Sequence, residues 1–147
     1  MADDSHPVGG GSGIANGAIV KYHHVLGTRI TAGKSIEHLS DDTVIYVAGR
    51  HVAAFSVDNP QHRFIIKNQR TEEIVTFCVS ANKKYIALAE RMVADSAMQV
   101  NVYTQQTGSK VRSLEFKYLS KLPVVSMCFS TDNKHLVTVT SLPDVYI

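Results

Sequence analysis

The feature that most constrains this chain is an internal repeat with a spacing of fifty residues. The segment Ile74–Ala89 aligns with Val124–Val139 without an insertion or a deletion. Both copies consist of a β-type run, a polar tight turn and a second β-type run. Four aligned pairs are identical, namely Val75 with Val125, Cys78 with Cys128, Ser80 with Ser130 and Lys84 with Lys134. A period of about 40–50 residues with four strands per period is typical of a β-propeller.

Runs of β-branched and aromatic residues, separated by turn residues, place the strands. Thr43–Val47 and His51–Val57 flank the break Gly49-Arg50, which indicates a hairpin. No long stretch after Ile36 keeps a helical period. The predicted strands are 35–39, 43–48, 51–57 and 62–67 in blade one, 74–80, 85–90, 98–104 and 110–116 in blade two, and 124–130, 135–140 and one near Asp144 in blade three. Many are apolar at consecutive positions, as expected of sheets that bury both faces.

The predicted fold is all-β: an incomplete β-propeller of about two and a half four-stranded antiparallel blades. Five of the nine glycines lie in the first 17 residues, so 1–20 is predicted to be a flexible arm and 21–147 to hold the blades. Blade one spans about 35–67, blade two about 74–116, and blade three begins at 124. A seven-bladed ring needs about 300 residues. We therefore expect the remaining blades to come from a longer form of this protein or from another chain.

Several function classes are disfavoured by the composition. The net charge is +2 without a block of like charges, which argues against a dedicated nucleic-acid binder. No apolar run approaches the roughly 18–20 residues that span a bilayer, and no secretory signal begins the chain. Two cysteines are too few for a disulfide scaffold. We expect no cofactor, no metal site among the seven histidines and no catalytic site, because the motifs that carry such chemistry are absent.

Three groups of residues stand out. Cys78 and Cys128 recur by repeat symmetry, which favours packing between blades over nucleophilic chemistry. Glu90 and Arg91 end a strand, where an ion pair, a partner contact and a solvated strand end are all open. The third group is basic and surrounds the fourth strand of blade two: Lys110, Arg112, Lys117 and Lys121. These lysines and this arginine are candidates for contact with an acidic protein surface, or form a solvated face.

The turns Ser80–Lys84 and Ser130–Lys134 resemble the S-P-D-G-K turn of the WD-repeat propeller family, without its proline and glycine. Phe55 and Tyr103 lie near the ends of third strands, where that family often places an aromatic residue. The resemblance implies that both belong to the blade core. The chain has no tryptophan, so the Trp-Asp dipeptide that names the family is absent.

A narrower resemblance links residues 24–147 to the large cilia- and flagella-associated WD-repeat proteins. Thr43–Ser56 is similar to their T-V-I-Y-x-x-G-H-N segment, and Tyr85–Arg91 is similar to their Y-L-A-V-A-E-R segment. The resemblance implies a non-enzymatic scaffold of the ciliary or flagellar axoneme, in the cytoskeleton of the cytoplasm. Its partners would be inner-arm dynein, regulatory complexes or doublet-microtubule components. The alternatives are a WD-repeat adaptor of another cytoplasmic complex, of the transport, coat or ubiquitin-ligase type, and the propeller part of an enzyme, which would require a catalytic domain.

Overall fold

The computed structural model describes residues 34–115, 122–141 and 145–146, so the predicted arm 1–20 lies outside the described residues. Three antiparallel sheets follow one another along the chain, and each strand pairs with its sequence neighbour. The first sheet holds β1 (Ile36–His38), β2 (Thr43–Ala48), β3 (His51–Ser56) and β4 (His62–Lys67). The second holds β5 (Thr71–Val79), β6 (Tyr85–Met92), β7 (Met98–Thr104) and β8 (Lys110–Glu115), and the third holds β9 (Val124–Phe129), β10 (Leu136–Thr140) and β11 (Val145–Tyr146).

These sheets confirm the predicted fold class. The described residues contain no helix, and their sheets do not close into a barrel. Two complete four-stranded meanders and a third sheet of three strands correspond to blades of an incomplete propeller. The strands lie where the turn residues and β-type runs predict them, except that β5 begins at Thr71, three residues before its predicted start.

The repeated polar turns have the same hydrogen-bond pattern, which explains why their letters recur. The Ser80 hydroxyl donates to Asn82 Oδ1 and accepts from the backbone amide that follows Lys84. The Ser130 hydroxyl donates to Asp132 and accepts from the equivalent amide. Lys83 and Asn133 occupy the same turn position, both with φ of 61°. Short polar side chains that bond local backbone amides stabilise such turns.

Two apolar clusters join the three sheets. The first lies between the first and second sheets and contains Phe77, Ile86 and Leu88. The second lies between the second and third sheets and contains Ala87, Ala89 and other small or flexible side chains. Successive residues of β6 therefore point into different clusters, since side chains alternate across a strand. This arrangement accounts for its unbroken apolar run, because the second sheet buries both of its faces.

A close backbone approach links the β7–β8 turn to the first sheet. Gly108 adopts φ of +67°, and a Cβ atom built on it would lie 2.0 Å from the backbone oxygen of Ile65 in β4. A side chain is therefore excluded by both the backbone conformation and the available space. Gly49, in the β2–β3 turn, has a similar φ of +64° but no atom within 4 Å of the equivalent position.

Candidate functional site

Glu90 and Arg91 are consecutive residues of β6, and their side chains point to opposite faces of the sheet. Glu90 is fully buried, with 0% of its surface exposed, whereas Arg91 lies half-exposed and its Nε is 3.9 Å from Glu73 Oε2. The prediction that Glu90 is a protein-contact residue is therefore wrong. Its carboxylate shares the face of β6 that carries Ile86 and Leu88, and that face packs against the first sheet. Arg91 remains a surface residue.

Four side chains donate hydrogen bonds to the Glu90 carboxylate. Asn68 Nδ2 and Thr71 Oγ1 reach Oε1 at 2.6 Å and 2.8 Å. Asn101 Nδ2 and the Tyr103 hydroxyl reach Oε2, the latter at 2.8 Å. Asn68 belongs to the connection between the first and second sheets, Thr71 is the first residue of β5, and the other two donors lie on β7. The carboxylate therefore ties the inter-sheet connection to two neighbouring strands of the second sheet.

This buried network balances a negative charge with neutral donors. Among the described residues, no cationic side chain forms an ion pair with Glu90. Burial, followed by the charge of Glu90 and the hydrogen bond to it, raises the pKa of Tyr103 well above its usual range. A carboxylate has about four lone-pair positions, and four donors occupy them. Glu90 is therefore committed to holding the sheets together and has no free acceptor for a substrate or an ion.

A groove of about 550 Å³ lies between the second and third sheets, beside the predicted basic group. Four partly buried apolar side chains at the margin of the second cluster form its floor: Val102, Leu114, Phe129 and Leu136. Arg112 of β8 and Lys134 of the β9–β10 turn stand on opposite sides of it, and both are exposed. Lys110 is exposed at the start of β8, whereas Lys117 and Lys121 lie outside the described residues.

Lys134 is the member of this surface that sequence reasoning missed. In the sequence, Lys134 is distinguished only as the repeat partner of Lys84. Its place at the same groove as Arg112 depends on how the third sheet packs against the second, because β8 and the β9–β10 turn are not neighbours in any sheet. The available signal was the repeat itself, which places a basic residue at the end of each polar turn.

The predicted core residues have different surroundings. Phe55 is buried and its ring lies 5.1 Å from that of His62. Tyr103 is buried in the Glu90 network. Cys78 is buried against the third sheet, and burial raises the pKa of its thiol to about 12. Cys128 is exposed, so its interpretation as a core residue is wrong in this structure, because no sheet of the described residues packs on its side of β9.

The described residues offer neither of two other kinds of feature, a metal-binding cluster or a membrane-spanning helix. No group of three or more histidine, cysteine, aspartate or glutamate side chains in the described part of the chain is arranged to hold a metal ion. Likewise, none of these residues belongs to a helix with the length and hydropathy needed to cross a bilayer.

Comparison with known proteins gives a distant match to a ciliary protein. No family model matches the chain. Over 121 residues, or 82% of its length, the chain is 25% identical to cilia- and flagella-associated protein 57 from Mus musculus. The match covers 10% of the mouse protein, so the chain corresponds to a small part of that relative.

Two solved structures share the fold at low sequence identity. The uncharacterised protein lmo1340 from Listeria monocytogenes superposes with a TM-score of 0.53 and 20% identity, over 82% of this chain and 37% of that one. A chain of the mitotic checkpoint complex superposes with the same TM-score and 12% identity, over 88% of this chain and 43% of that one. At these identities the likeness concerns the arrangement of the sheets.

Proposed function

We propose that this protein is a non-enzymatic scaffold of the cilium or flagellum that acts by binding other proteins. The observation that carries the proposal is the similarity to the mouse cilia- and flagella-associated protein, which extends over 82% of the chain. The sheet architecture supports it, since propeller-type blades present rigid turns and grooves to partners. The described residues also offer an exposed basic groove.

The finer proposal places the protein in the axoneme. There, its blades would anchor inner-arm dynein or a regulatory complex on the doublet microtubules. Tubulin surfaces are acidic, and Lys110, Arg112 and Lys134 supply exposed positive charge on the second and third sheets. The buried Glu90 network fits a scaffold, because it stiffens the junction between sheets without exposing reactive groups.

The test is fractionation of ciliated cells that express the tagged full chain. We expect the chain to remain with demembranated axonemes after mild detergent extraction, together with axonemal proteins. The tag alone, expressed at the same level, controls for trapping. Recovery of the chain only in the soluble cytosolic fraction would refute the axonemal role and leave an adaptor of another cytoplasmic complex.

A further inference from the structure

We propose that the groove between the second and third sheets binds an acidic peptide segment that inserts one apolar side chain. The inference rests on the proposed protein-binding function and specifies the chemistry of the partner. The groove has a volume of about 550 Å³, within the roughly 300–1,000 Å³ range of clefts that hold ligands. Its lining combines an apolar floor with basic side chains at the rim.

The apolar floor provides the anchoring site. The third sheet contributes Phe129 and Leu136 to this floor, and the second sheet contributes Val102 and Leu114. Val111 lines the same groove and leaves 55% of its surface exposed. Apolar side chains that stay accessible inside a concave surface gain free energy when a partner covers them. A single aliphatic or aromatic side chain of an extended peptide would cover this floor.

The positive charges at the rim favour a partner that carries negative charge. Neither Arg112 nor Lys134 forms an ion pair within the part of the chain that the structure describes. Lys84 and Lys110 are exposed and precede the lining residues Tyr85 and Val111 in the chain, without lining the groove themselves. Carboxylates of a partner are therefore complementary to this rim, and they would orient the segment along it.

Among the residues that the structure describes, the Asp132 carboxylate lies near the rim and is already engaged. Asp132 accepts hydrogen bonds from the Ser130 hydroxyl and the Lys134 amide, and it lies 3.9 Å from His135. The hydrogen bond from Ser130, followed by that from the Lys134 amide, lowers the pKa of Asp132, so the carboxylate stays charged. Its charge offsets part of the local positive potential, but the arginine and lysine side chains keep the groove basic.

The lining favours a peptide over a nucleic acid. Single-stranded nucleic acids bind where aromatic side chains form stacking platforms along a positive track. Besides the His135 imidazole, the aromatic side chains that line this groove are Phe129 and Tyr85, and the remaining apolar surface is aliphatic. The whole chain carries a net charge of only +2. An apolar anchor flanked by carboxylates fits this combination better than a phosphate backbone.

The test is fluorescence anisotropy with the full chain and a labelled synthetic peptide made of glutamates around one central phenylalanine. We expect saturable binding that weakens as salt rises. Arg112→Glu and Lys134→Glu should each weaken it about five- to tenfold, because each reverses a rim charge. Val111→Glu should weaken it as well. Arg63→Glu, an equal charge change at an exposed position of β4, is the matched control and should leave the affinity unchanged.

Further arms of the test separate the competing explanations. Replacing the central phenylalanine of the peptide with serine should weaken binding at least about fivefold, because the apolar contact is lost. Equal affinity of the two peptides, or an equal effect of Arg63→Glu, would overturn the proposal. Tighter binding of a single-stranded oligonucleotide through the same residues would overturn it in favour of a nucleic-acid site, and self-association that blocks the peptide would replace it with a contact between copies.

The outcome is distinguishable from that of the proposed ciliary function. If the peptide fails to bind while the chain still remains with axonemes, the groove proposal fails and the scaffold proposal stands. If the peptide binds as expected while the chain is recovered only in the soluble fraction, the groove proposal stands and the ciliary scaffold proposal fails. Circular dichroism of each variant shows whether it keeps the parent's sheet content, so that a loss of binding reports on the groove.

Discussion

Glu90 is the residue whose replacement tests the buried network most directly. Replacing it with leucine keeps a similar volume and removes every acceptor from the four donors. Thr71 and Asn101 are fully buried, and Tyr103 is 4% exposed, so water does not readily replace the lost partner. Each buried donor left unpaired costs about 1–3 kcal/mol. Burial of the leucine side chain returns about 1.5–3 kcal/mol.

The expected net loss for Glu90→Leu is about 2–6 kcal/mol of unfolding free energy. A domain of this size has about 5–15 kcal/mol in total, so the variant loses a large part of its stability. Glu90→Gln should cost less, about 1–2 kcal/mol, because the amide keeps one acceptor, and its new donor can pair with Asn101 Oδ1 once the Asn101 amide turns over. That oxygen has no partner in the parent structure, among the residues described.

The measurement is urea-induced unfolding of the full chain, followed by far-UV circular dichroism. The control is Glu72→Gln on the same sheet, where the side chain is exposed and the change should stay within about 0.5 kcal/mol. An unfolding free energy for Glu90→Leu equal to that of the parent would refute the network as a stabilising element. Equal losses in Glu72→Gln and Glu90→Gln would show that the loss of charge, and not of buried acceptors, is responsible.

Three further predictions address the turns, Tyr103 and the cysteines. Gly49→Ala should cost about 1–2 kcal/mol of unfolding free energy, measured by thermal or urea unfolding, because of its left-handed backbone alone. Gly108→Ala should cost clearly more, because its Cβ would also meet the β4 backbone. Equal losses in the two variants would contradict this contact. Because the folded protein raises the pKa of Tyr103, the unfolded chain releases that proton first as pH rises, near its ordinary value of about 10. Stability should therefore fall above that pH by up to about 1.4 kcal/mol per pH unit from this group, and Tyr103→Phe should remove that part of the slope in unfolding measured at increasing pH. Iodoacetamide at neutral pH should modify exposed Cys128 and spare Cys78, whose thiol is buried with a pKa of about 12, until the chain unfolds; mass spectrometry that finds Cys78 modified first would disprove the assignment.

The fold follows closely from local sequence patterns. Runs of β-branched residues and the polar turns place most strands, because turn chemistry and alternation act over a few residues. The consecutive apolar residues of β6 also indicate a sheet buried on both faces, and both apolar clusters confirm it. The early start of β5 escaped prediction, since Thr71 and its acidic neighbours do not have the composition of a strand.

The candidate sites were less predictable, for a different physical reason. Alternation along β6 places Glu90 on the same face as Leu88, and this information is present in the sequence. Whether that face is still covered at Glu90 depends on how far the first sheet and its connection extend, which local patterns do not encode. Asn68, which donates to Glu90, is 22 residues away in the chain.

The sequence by itself determined that this chain forms short antiparallel sheets in series, with similar turns repeated along it. Those features depend on interactions between residues close in the chain. Only the tertiary structure decided that Glu90 is buried, that Cys78 and Cys128 differ in exposure, and that Arg112 and Lys134 face one groove. Such outcomes depend on which surfaces of separate sheets meet, and packing of whole sheets settles that.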